Sequence, residues 1–98
     1  MHPVQDKAEI SIDFPEKFYM GSFTRESRYE AKAEDDGLLI KLVHNGGKKR
    51  AVGIHLHHHL LADILTDWAA SLAEAPAMDK NHKETLREAL RAVEKALK

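Results

Sequence analysis

Hydrophobic and polar residues alternate through the first half of the chain and then change period once, near residue 57. Ala8, Ile10, Ile12 and Phe14 alternate with Glu9, Ser11 and Asp13, which predicts a half-buried strand that Pro15 stops. Residues 18–28 (FYMGSFTRESR) give no clean period, and Gly21 marks a bulge or a bend there. Tyr29 to Glu34 has the local propensity of a helix. However, Asp35-Asp36-Gly37 follows and leads into the apolar run Leu38–Val43, which points to a hairpin instead. Closing it with Glu34 opposite Gly37 pairs Ala33 with Leu38, Ala31 with Ile40 and Tyr29 with Leu42, and sets Glu30 against Lys41. A turn over Asp36-Gly37 has better turn chemistry but sets Lys32 against Lys41, an unfavourable cross-strand pair. Both registers bury the same side chains.

Asn45-Gly46-Gly47-Lys48 is a second turn signal. A loop over Gly46, Gly47 and Lys48 pairs Leu42 with Val52, Ile40 with Ile54 and Leu38 with Leu56. That match of apolar to apolar predicts a three-stranded meander, with residues 8–14 as a fourth strand. Beyond residue 57 the period becomes 3.6. Leu60, Leu61, Ile64, Leu65, Trp68 and Leu72 form one stripe, and Leu86, Leu90, Val93 and Leu97 form another. Pro76 separates them, and Met78-Asp79-Lys80-Asn81 supplies N-cap candidates for the second helix, with Glu84 three residues after Asn81. The expected fold is α+β in a single domain. It has a tail over 1–7, strands over 8–57, helices over 58–75 and 82–97, and the helices packed antiparallel on one face of the sheet.

Composition narrows the function classes. The 98 residues carry 15 Lys and Arg against 16 Asp and Glu, so no global field draws the chain to nucleic acid or an anionic membrane. Without cysteine there is no disulfide framework, thiolate metal site or thiol nucleophile. No apolar leader or membrane-length run occurs, and the expected location is cytoplasmic. The serines lack a nucleophile-elbow context, and Glu34-Asp35-Asp36 reads as a solvated turn, so no catalytic constellation is expected.

Two clusters carry candidate chemistry. His55 and His57 stand two apart on a predicted strand, which projects both rings to one side, a spacing that suits a divalent metal such as zinc. His59 and Asp63, at i and i+4 on the helix that follows, supply further candidate ligands. The competing reading is a strand-to-helix junction that has no Ser, Thr, Asp or Asn to cap the helix. The second cluster mixes aromatics with cations: Tyr19, Phe23, Arg25 and Arg28, with Lys48, Lys49 and Arg50 at a hairpin tip. Such a sheet stacks bases and holds phosphates. In element order alone, strands followed by a helix, the chain resembles the Whirly and positive-cofactor-type single-strand DNA binders, and that resemblance implies nucleic-acid binding. The preferred expectation is a small interaction module that self-associates as a homodimer and requires no cofactor, because so small a core gains from a dimer interface.

Overall fold

The computed structural model describes residues 1–98. Six strands, β1 (His2–Pro3), β2 (Ala8–Asp13), β3 (Phe18–Phe23), β4 (Ser27–Glu34), β5 (Gly37–His44) and β6 (Arg50–His57), precede two helices, α1 (His58–Glu74) and α2 (Lys80–Ala96). The architecture is α+β, with every strand pair antiparallel. The chain divides into two compact units, Met1–Leu65 and Thr66–Lys98.

In the first unit, β1, β4, β5 and β6 form one sheet in that order. The register across β4 and β5 sets Glu34 opposite Gly37, Ala33 opposite Leu38, Ala31 opposite Ile40, Tyr29 opposite Leu42 and Glu30 opposite Lys41. The register that avoids two facing lysines is therefore the one adopted. Across β5 and β6, Leu38, Ile40 and Leu42 face Leu56, Ile54 and Val52, as the apolar matching predicts. The intervening loop is held open by Gly47 in the left-handed region, φ 61°, a conformation that a Cβ penalises.

The N-terminal strands differ from the sequence expectation. Residues 8–13 do not join the meander. They pair with β3 in a separate two-stranded sheet, from Ala8 opposite Phe23 to Asp13 opposite Phe18. Pro15 lies in the tight turn between them, where Phe14 and Lys17 exchange backbone hydrogen bonds of 2.8 and 3.3 Å. The fourth strand of the main sheet is instead His2–Pro3, inside the segment expected to be a tail, and it pairs with Tyr29 and Arg28. Proline is tolerated there because β1 is a sheet edge.

Little of this surface is enclosed. Phe23 is the buried hydrophobic side chain, 2 % exposed, and Ser27 is the buried polar one. The Ser27 hydroxyl is 3.1 Å from His44 Nδ1. On the main sheet, Tyr29, Ala31 and Ala33 share a face with Leu38, Ile40, Leu42, Val52, Ile54 and Leu56, and none of these side chains is buried. No side chain of α1 or α2 is buried either. Neither helix is long and apolar enough to cross a membrane.

The start of α1 lies against the β5 and β6 ends of the sheet, where the His58 N–H donates to the Asp36 carbonyl at 3.0 Å. Within the second unit, α2 is capped by Asp79, whose carboxylate accepts the His82 N–H at 3.2 Å. Trp68, Leu72, Leu86 and Leu90 line an open groove of about 370 Å³ whose rim includes Lys83 and Arg87. Trp68, on the apolar stripe of α1, is 39 % exposed rather than enclosed.

Candidate functional site

A cluster of chemistry-bearing side chains, Asp36, His55 and His57, sits where the β4–β5 turn meets the end of β6. The β5–β6 register fixes it: Gly37, the first residue after the turn, lies opposite His57, and Leu39 lies opposite His55. Gly37 permits the approach, since a Cβ there would fall 2.0 Å from the Leu56 carbonyl oxygen and 2.8 Å from His57 Cα. The turn is thereby laid against β6. Its Asp36 carbonyl takes the His58 N–H, so a main-chain acceptor serves one of the free N–H groups at the start of α1, where the sequence offers no side-chain cap.

His55 and His57 project from the same face of β6 with ring centroids 4.8 Å apart. The Asp36 carboxylate reaches both. His55 Nε2–H donates to Oδ1 at 2.9 Å, and His57 Nδ1 stands 3.7 Å from Oδ2, an ion-pair distance rather than a hydrogen bond. A nitrogen from each ring and a carboxylate oxygen all lie within 4.8 Å of one another, on exposed side chains. Desolvation pushes the Asp36 carboxyl upward. The charges of His57 and His55, a backbone hydrogen bond and the His55 hydrogen bond outweigh it and hold the group below its ordinary value.

Of the residues singled out for metal binding from sequence, His55 and His57 are brought together, whereas the cluster does not include His59 or Asp63, which lie on α1. Asp36 is the member that spacing along the chain missed. The signal for it was in the pairing: once Leu39 faces His55, the Asp35-Asp36 turn must lie over His57.

The aromatic and basic residues are spread over several elements. Tyr19 is exposed on β3 and meets Phe14 edge to face at 6.2 Å. Phe23, expected as a stacking ring, is the buried core residue instead, because β3 turns that position inward. Arg25 lies between β3 and β4, and Arg28 on β4 donates to the Met1 carbonyl at 3.3 Å. Lys48 and Lys49 belong to the β5–β6 loop, and Arg50 opens β6 opposite His44. The Arg50 guanidinium lies beside Gly21 of β3.

A third feature is apolar. Leu60, Ile64 and Leu65 are exposed in the first unit and Trp68, Leu72, Leu90, Val93 and Leu97 in the second. No protein-family description, curated protein or solved structure matches this chain.

Proposed function

We propose that this chain is a self-associating interaction module of the cytoplasm whose hydrophobic core is completed by a second copy of itself. The observation that carries the reading is the near-absence of a core in the single chain: Phe23 is the buried hydrophobic residue, while the apolar sheet face is half-buried with Tyr29 and Ile54 exposed, and most of both helical stripes is exposed. Monomeric soluble proteins rarely expose large contiguous apolar patches, and such patches mark interaction sites.

Area gives the scale. Two separately folded bodies of the units' masses, roughly 7.4 and 3.7 kDa, would expose roughly 6,700 Å² between them. The chain exposes 8529 Å². The surplus of roughly 1,800 Å² per chain becomes about 3,600 Å² across two copies, inside the range of obligate homodimer interfaces. A standard interface of about 800 Å² per partner would leave more than half of the surplus uncovered.

The partner that suits this surface is another copy because the stripes and the sheet face are self-complementary in kind, apolar against apolar. The near-neutral balance of 15 cations and 16 anions also imposes little net repulsion between copies. Sedimentation equilibrium on the 11.1 kDa chain at micromolar concentration is expected to return about 22 kDa, twice the chain mass. A species of 11.1 kDa that persists to high micromolar concentration with native circular dichroism refutes the reading.

A further inference from the structure

We propose that Asp36, His55 and His57 form a binding site for one divalent first-row transition metal ion per chain, with zinc the chemical type that the ligand set fits. This goes beyond self-association, since all three residues belong to one chain and one unit.

The donor set selects the ion class. Two imidazoles and a carboxylate suit zinc, nickel or copper, whereas calcium and magnesium prefer shells built wholly of oxygen. Zinc bonds of about 2.0–2.1 Å to nitrogen and 2.0–2.2 Å to oxygen put neighbouring tetrahedral ligands about 3.3–3.4 Å apart. The ring nitrogens stand at comparable distances from the carboxylate, each from a different oxygen: 2.9 Å from His55 Nε2 to Asp36 Oδ1 and 3.7 Å from His57 Nδ1 to Asp36 Oδ2. The widest spacing among the three donor atoms is within 4.8 Å, so modest ring rotations complete the triangle. The ion takes the position at His55 Nε2 from which the ring now donates to Asp36, and the neutral imidazole then carries its hydrogen on Nδ1.

The backbone already holds the carriers of these ligands in place. His55 and His57 are pinned by pairing with Leu39 and Gly37, and Asp36 by its carbonyl bond to His58. Binding therefore orders side-chain torsions without ordering a loop. A purely structural role for the cluster, a carboxylate stapling a turn, requires only one of the two histidines. The second ring, on the same face and turned to the other carboxylate oxygen, is what a staple leaves unexplained. With three protein ligands, a tetrahedral ion retains one position for water or an exogenous group.

The test is titration of zinc chloride into the untagged chain, purified without a metal resin, followed by calorimetry and by NMR of the histidine ring nitrogens. One zinc per chain at micromolar affinity is expected, with the ring signals of His55 and His57 shifting and those of His58 and His59 staying in place. Asp36→Asn and His57→Ala are each expected to weaken binding tenfold or more, while His59→Ala leaves it unchanged. Asp36→Asn keeps the main-chain carbonyl that receives the His58 N–H, so its circular dichroism should match the parent. Absence of zinc binding below about 1 mM overturns the proposal. Unchanged affinity in both Asp36→Asn and His57→Ala does so as well, as does a loss in His59→Ala equal to theirs.

Discussion

Gly37→Ala tests whether the close approach of the β4–β5 turn to β6 organises this end of the molecule. The added Cβ would lie 2.0 Å from the Leu56 carbonyl oxygen, 2.8 Å from the Leu56 carbonyl carbon and 2.8 Å from His57 Cα. All three atoms are backbone, so no side chain can swing aside. Restoring an ordinary contact requires β5 and β6 to part by more than 1 Å at this end, a strain of about 1–3 kcal/mol by analogy with overpacked cores. The same movement stretches the 3.0 Å bond from His58 N–H to the Asp36 carbonyl, which adds about 1 kcal/mol. The expected total is about 3 kcal/mol.

Gly53→Ala is the internal control, in the middle of the neighbouring strand. Nothing lies within 4 Å of a Cβ there, so the change should be neutral or stabilise by up to about 1 kcal/mol through reduced unfolded-state freedom. Urea denaturation followed by circular dichroism, with all variants at one protein concentration because the proposed self-association would couple to stability, measures both. If Gly37→Ala falls within about 0.5 kcal/mol of Gly53→Ala, the turn does not bear on β6 as described, and the placement of Asp36 beside the two histidines loses its basis.

Two further outcomes follow from the exposed stripes and the helix cap. Val93, 55 % exposed on α2, is expected to behave as an interface residue. Val93→Glu should weaken dimerisation about 100-fold in sedimentation, whereas on a surface that stays open the same change would move stability by no more than about 0.5 kcal/mol. At the start of α2, hydrogen bonds from the His82 side chain and backbone N–H hold the Asp79 carboxyl below its ordinary value, outweighing desolvation. The folded state thus favours the ionised form, and the stabilisation is fully present above the unfolded pKa of about 3.9 and lost as pH falls through the lower folded value. Helicity should accordingly fall on acidification below pH 4 in the parent, while Asp79→Ala should show less helix at pH 7 and a flatter acid limb by circular dichroism.

The main hairpins were legible in the sequence because apolar residues at period two share a face in either register of the β4–β5 hairpin. The register itself stayed open, since turn chemistry favours Asp36-Gly37 and the cross-strand charges favour Glu30 opposite Lys41, and the structure adopts the second. Where a single signal operated, the reading went astray. The alternation from Ala8 to Phe14 correctly identified a strand but carried no information about its partner. Its neighbour Phe18–Phe23 lacked a period of its own, because both faces of that strand carry large or aromatic side chains. His2–Pro3 was unreadable for a different reason. An edge strand of two residues has no periodicity, and its pairing to Tyr29 and Arg28 is set wholly by the partner strand.

The Asp36–His55–His57 cluster shows where register brings together more chemistry than linear spacing. His59 and Asp63 satisfy a helical ligand spacing, yet that spacing only brings residues of one element together, and at a strand-to-helix junction the side chains change direction. Asp36 stands far from His57 in sequence but is carried to it by the same ladder that aligns Leu38 with Leu56. The missing cap on α1 and the missing third ligand thus have one physical origin. A turn laid against a strand end by Gly37 offers its carbonyl to His58 and its carboxylate to His55 and His57. Removing that approach should undo both functions together, whereas Asp36→Asn removes the ligand and leaves the cap. The two substitutions therefore separate what the turn does for the fold from what its side chain does for an ion.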